Sequence, residues 1–179
     1  MNELEILPTT GIMVARDPED ILKEAKQAAK ALMAVVAQKK KPVIMNGEQY
    51  LEFEDWQTVA RFYGLTVKVT RTSLIDWVGV RGFEAIAEVL RADGMVISAA
   101  EAMCLNDEDK WSTRTKYEYV DGVKTKVGEV AVPMFQLRSM AQTRACAKAL
   151  RNVLAWVVAA ASLGFLALQP GQPFRQRLD

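Results

Sequence analysis

The 179-residue chain is 50% hydrophobic and 25% charged, with a formal net charge of +1; it is long enough to bury a full core and too apolar to be a disordered chain. It has no histidine, which excludes Ser-His-Asp and Cys-His nucleophile systems, histidine general bases and nearly every mononuclear zinc site. The small net charge hides an asymmetry, because residues 1–129 hold 17 Lys+Arg against 21 Asp+Glu while residues 130–179 hold six basic residues and a single acid, Asp179.

Residues 1–15 carry Pro8 and Gly11 and read as an extended arm. Its start, MNELEILPTTG, lacks the basic opening and apolar stretch of a signal peptide. Asp17-Pro18-Glu19 is a helix start, with an N-cap acid, proline at the first position and acids at the positive end of the dipole. Ile21, Leu22, Ala25, Ala28, Ala29, Leu32 and Val36 continue it at helical spacing to about Ala37. Lys39-Lys40-Lys41 then reads as charge favourable to the helix C-terminus and to solubility. Pro42 to Phe53 reads as a hairpin turning at Asn46-Gly47 in a type I′ turn. A short helix follows from about Glu54 to Tyr63, and Gly64 ends it.

Three strands come next. LTVKVTRT alternates Leu65, Val67 and Val69 against Thr66, Lys68 and Thr70; FEAIAEVL places Phe83, Ala85, Ala87 and Val89 on one face; MVISAAEAM follows the Asp93-Gly94 turn. Their short connections imply an antiparallel meander. Residues 105–131 are polar, contain a second hairpin signal around Asp121-Gly122, and read as an excursion from the sheet. Pro133 opens a long helix from Met134 to around Leu168, and a Pro/Gly/Gln-rich tail closes the chain. The expected organisation is an arm (1–15), a single α+β domain (16–168) whose three-stranded meander packs on the long C-terminal helix, with an N-terminal helix and two hairpins, and a flexible tail (169–179). The uncharged apolar run Val153–Leu168, 16 residues long, falls short of the roughly 20 needed to cross a bilayer and reads as a buried or subunit-interface helix, so no membrane partner is expected. Cys104 and Cys146 match no CxxC pattern and fit free, partly buried thiols in a reducing cytoplasm.

The chemistry concentrates in the long helix. On a wheel of 100° per residue, Phe135, Cys146, Ala149, Leu150, Val153 and Val157 share an arc expected to pack on the sheet, and Arg144, Lys148 and Arg151 form a stripe on nearly the opposite side, with Arg138 toward its flank. No acid stands at i±3 or i±4 to neutralise the stripe. Like charges so spaced weaken a helix slightly, so an anion from outside accounts for them, and a phosphate backbone is the natural linear one. A solvated face, or pairing with acids from elsewhere such as Glu84, Glu88 or Glu101, is the competing explanation. Lys68 and Arg71 on the first strand of the meander would add a cationic strand edge beside the helix and so complete a groove. The hairpin cations Lys110, Arg114, Lys116, Lys124 and Lys126 are interleaved with acids, as in a solvated hairpin. Trp56, Phe62, Tyr63, Trp77 and Trp156 occupy core-like positions.

Several motifs occur in a familiar order. The pair Tyr63-Gly64 after Phe62 closes a short helix; Gly82-Phe83-Glu84-Ala85-Ile86-Ala87-Glu88-Val89 has the form G-aromatic-x-A-x-x-x-V; Asp93-Gly94 turns into a third strand; and Ala145 to Arg151 has the form A-x-x-x-A-L-(K/R). Tyr50 to Cys104 together with Phe135 to Val157, roughly half the chain, resembles the Rad fifty-two-like single-strand annealing superfamily, including phage Sak-type proteins. The resemblance implies a β-β-β-α core, homo-oligomeric rings or filaments, a basic groove holding single-stranded DNA with its bases exposed, and a host or phage single-strand binding protein as a further partner. By this alignment Arg151 matches a DNA-contact position, whereas the next basic positions of the family fall on Asn152 and Ala155, a departure that shifts their role to Arg144 and Lys148. The chain lacks GxxxxGK(S/T), so no ATP cofactor is expected, and annealing itself runs downhill on base pairing. Two other functions compete: a metal-dependent nuclease using Asp76, Glu84, Glu88 and Glu101, against which no acid-x-Lys spacing is found, and a non-enzymatic RNA- or DNA-binding regulatory protein.

Overall fold

The computed structural model describes residues 16–45 and 48–166. The expected arm, the tail and the Asn46-Gly47 turn lie outside those residues. The order of elements is α1 (Pro18–Val36), β1 (Ile44–Met45), β2 (Glu48–Gln49), α2 (Phe53–Phe62), β3 (Thr66–Trp77), β4 (Val80–Leu90), β5 (Val96–Leu105), β6 (Thr113–Val120), β7 (Val123–Ala131) and α3 (Met134–Leu166). This is an α+β fold in which an antiparallel β3-β4-β5 sheet packs on the C-terminal helix.

Helix α1 begins where Asp17 accepts a hydrogen bond from the Glu19 N–H at 2.7 Å and Pro18 presets the first turn. Ala25, Ala29, Leu32 and Val36 form its buried stripe. Helix α2 starts one residue earlier than expected, at Phe53, because the Asp55 carboxylate reaches back to accept from the Glu52 N–H at 2.8 Å. Gly64, at φ 63°, supplies the left-handed residue that stops it.

The meander is longer than its alternating pattern suggests. Strand β3 continues past Thr72 to Trp77 and turns through Val78-Gly79 straight into β4. A β-bulge at Thr70 interrupts its register, so the residues opposite the buried β4 face change from Val67 and Val69 to Thr72 and Leu74. In β4, Ala85, Ala87 and Val89 are fully buried, and Gly82 stands where no side chain fits: a Cβ there would lie 2.1 Å from the Cys104 carbonyl oxygen. That close approach across the β4-β5 ladder is the physical reason for glycine before Phe83.

Helix α3 is buried on two sides. Ala141, Ala145 and Ala149 line one flank, close to the sheet, where the Ser98 hydroxyl donates to the Ala149 carbonyl at 2.9 Å and Gln142 donates to the Thr72 hydroxyl at 3.0 Å. Cys146, Leu150, Leu154 and Val157 lie roughly 100° further round and join the same core as Leu32 and Val36 of α1 and Val59 of α2. The single sheet-facing arc expected from the wheel is therefore two arcs, because α1 and α2 pack on the helix beside the arc that meets the sheet. Phe135, placed in that arc by spacing alone, is 68% exposed, since it sits in the first turn beyond the packed layers. Three of the aromatics expected in the core are also exposed, namely Phe62, Trp77 and Trp156. Of the run Val153–Leu168, Leu154, Val157 and Ala160 are buried within the fold itself, which withdraws them from the expected subunit interface.

The second hairpin, β6-β7, forms a two-stranded sheet of its own, turning at Asp121 (φ 50°) and Gly122 (φ 77°), the two positive values a type I′ turn requires.

Candidate nucleic-acid interface

Strand β5 is an edge of the meander, and α3 runs antiparallel to it. The Arg144 guanidinium donates to the Met103 carbonyl at 2.7 Å, Lys148 Nζ to the Glu101 carbonyl at 3.2 Å, and Asn152 Nδ2 to the Ala99 carbonyl at 3.4 Å. The three side chains recur every four residues, about 6 Å along the helix, and the three carbonyls every two residues, about 6.6 Å along the strand. The two repeats match, so one side-chain ladder satisfies the open carbonyls of an edge strand.

This corrects the inference that the stripe lacks partners. Arg144 is also clamped to the Glu108 carboxylate by two parallel hydrogen bonds of 2.8 and 2.5 Å, and its guanidinium lies 6.0 Å from the Trp111 ring centre. The hydrogen bonds from Arg144 hold Glu108 below its ordinary pKa, and Glu108 raises that of Arg144 in turn. Arg144 is thus a structural residue that pins the segment before β6 to α3. Its partner is 36 positions away, outside any helical spacing rule, and is none of Glu84, Glu88 and Glu101.

Lys148 and Arg151 remain. Lys148 is exposed and spends one of its three ammonium donors on Glu101. Arg151 is exposed and has no hydrogen-bond or ion-pair partner among the described residues. Both line an open groove of about 1020 Å³ between α3 and the start of α2. Its α3 wall carries Met140, Thr143 and Ala147, and its far wall is Tyr50, Glu52, Phe53 and Glu54. Glu52 is neutralised by Lys39 at 2.9 Å, and Lys39 also pairs with Asp55 at 2.8 Å. The lysine cluster after α1 therefore does more than solubilise: its first member ties α1's end to a carboxylate that is only 2% exposed. Glu54 is exposed on the groove wall and makes no ion pair among the described residues. The far wall carried no signal in the sequence, where Pro42 to Phe53 read as hairpin only.

The other expected contacts do not converge here. Lys68 and Arg71 share the sheet face turned away from α3, a consequence of the Thr70 bulge, and each is paired across to β4: Lys68 with Glu88 at 3.4 Å and Arg71 with Glu84 at 3.8 Å. A β3 contribution to the groove is thereby removed. Arg138 is exposed but lies off the groove lining. Among the acids weighed for a nuclease, Glu84 and Glu88 hold those two cations and Asp76 pairs with Arg81 at 3.1 Å; no three metal-ligating side chains come together among the described residues. Comparison with protein-family models and with curated proteins finds no match to this chain.

Proposed function

We propose that the chain binds single-stranded DNA along the α2-α3 groove and anneals it to a complementary strand without ATP or metal. The observation that carries this reading is the pair Lys148 and Arg151, exposed on one groove wall with uncommitted donors beside half-exposed Tyr50 and Phe53. Two cations spaced three residues apart meet successive phosphates, and aromatic and apolar side chains opposite them accept a base or sugar face. The β3-β4-β5-α3 order agrees with the β-β-β-α core that the resemblance to Rad fifty-two-like annealing proteins implies, with β6-β7 as an insertion. A homo-oligomer belongs to this reading, and Trp77, Ile97 and Met103, left exposed on the sheet, offer it apolar surface.

The test is annealing of two complementary oligonucleotides, one fluorescent and one quenching, in the presence of chelator and without nucleotide. Acceleration over the spontaneous rate is expected, and its loss in Lys148→Ala/Arg151→Ala. Strand cleavage restored by a divalent cation, or no acceleration by the wild-type chain, rejects the proposal.

A further inference from the structure

Read along the sequence, the cations of the β6-β7 hairpin alternate with acids. Folded, they separate toward the tip of the ribbon. Tyr117 pairs with Lys126 and Tyr119 with Lys124, so these four side chains share one face of the ribbon toward its tip. Glu118 falls on the opposite face, where it pairs with Lys116 at 2.5 Å. The nearest acid on the tyrosine face is Glu129, opposite Thr115 nearer the root, and it accepts from the Thr113 hydroxyl at 3.1 Å. The two-residue turn at Asp121-Gly122 sets this register, pairing Val120 with Val123 and so placing Lys124 and Lys126 on the tyrosine face; the bulge between Lys116 and Tyr117 acts only nearer the root, where it brings Glu129 to that face.

The tyrosines are far from any core: Tyr117 is 53% and Tyr119 77% exposed. Lys124 Nζ lies 4.6 Å from the centre of the Tyr117 ring, which keeps one lysine beside an aromatic face and leaves Tyr119 open. A ribbon that served only to be soluble has no use for two exposed aromatic rings beside two lysines that form no ion pair among the described residues. We infer that the Tyr117-Tyr119-Lys124-Lys126 face of the hairpin is a single-stranded DNA contact of its own, in which the tyrosines stack on bases and the lysines meet the flanking phosphates. An exposed cation-π contact is weaker than base-aromatic stacking, so an incoming base displaces Lys124 from Tyr117 toward the backbone. Adjacent side chains on one face of a strand are about 6.6 Å apart, close to the reach of neighbouring nucleotides in an extended strand. The inference stands apart from the α2-α3 groove, since none of these residues lines it.

The experiment is fluorescence anisotropy of a labelled thirty-nucleotide oligo(dT) titrated with the full chain and with four variants, three in the hairpin and Lys148→Ala/Arg151→Ala in the groove. Tyr117→Ala/Tyr119→Ala is expected to weaken binding by roughly tenfold or more, as the loss of stacking on even one base implies, and Tyr117→Phe/Tyr119→Phe to bind as the wild type. Lys124→Ala/Lys126→Ala is expected to lower the slope of log affinity against log salt by about 1.4, the value for two single-strand phosphates. Unchanged affinity in a tyrosine-to-alanine variant with wild-type circular dichroism overturns the inference, as does equal loss in the alanine and phenylalanine variants. If Lys148→Ala/Arg151→Ala alone loses affinity, the hairpin contact fails and the groove stands; if the hairpin variants alone lose it, the groove fails and the hairpin contact stands.

Discussion

Arg144 changes meaning between sequence and structure. On the wheel it is one of three equal cations; in the fold its donors go to Met103 and Glu108, leaving Lys148 and Arg151 to face the groove. Spacing along one helix reports which residues share a face, and it is silent on a carboxylate contributed by a loop between two other elements. Because the Arg144 hydrogen bonds hold the Glu108 pKa below its ordinary value, the stability this pair contributes is complete above the ordinary glutamate range and is lost as pH falls through the lowered value. Glu108→Gln should therefore destabilise the protein by about 1 kcal/mol at pH 7, the modest figure reflecting a pair that water partly reaches. In urea melts, its deficit against the wild type should shrink on acidification; a deficit constant from pH 7 to pH 3 contradicts the clamp. Gly82 was legible only as part of a motif, and the fold supplies the reason in the Cys104 carbonyl. Gly82→Ala has to push two strands apart, with an expected cost of about 2–3 kcal/mol; a variant that melts with the wild type would show that the strands accommodate a methyl group freely.

At the scale of elements, the local signals were strong where one rule decided the outcome. Asp17-Pro18 opened α1, Gly64 closed α2, and Asp121-Gly122 turned β6 into β7. The Phe83, Ala85, Ala87, Val89 alternation identified the β4 face that meets α3. The bulges at Thr70 and beside Tyr117 escaped notice, and each moved a charged residue to another face: Arg71 to the side of Lys68, away from the helix, and Glu129 onto the tyrosine side of the ribbon. A bulge shifts register by one residue, and with a side-chain period of two that is enough to exchange the faces of everything beyond it. The two-sided burial of α3 was hidden for a related reason. Its second apolar arc reads as the same broad stripe until α1 and α2 are seen to cover it.

For the whole molecule, the charge asymmetry of the chain is only partly available to a ligand. Of the cations on α3, Arg144 is paired with Glu108, Arg138 lies apart, and Lys148 and Arg151 face Glu54 across the groove. A phosphate backbone entering that groove meets two positive charges and one negative charge. Glu54→Gln is therefore expected to tighten oligonucleotide binding about threefold at low salt, with the gain fading as added salt screens the repulsion; weaker binding in that variant would show that Glu54 is itself a ligand-positioning residue. No helix among the described residues is long and apolar enough to cross a membrane.

The most direct test of the groove is the salt dependence of oligo(dT) affinity for the wild-type chain against Lys148→Ala/Arg151→Ala. If these two side chains meet phosphates, the variant binds more weakly at low salt and its log-log slope is shallower by about 1.4, two counterions' worth for a single strand. Superimposable lines from a folded variant would mean that DNA, if bound at all, passes elsewhere.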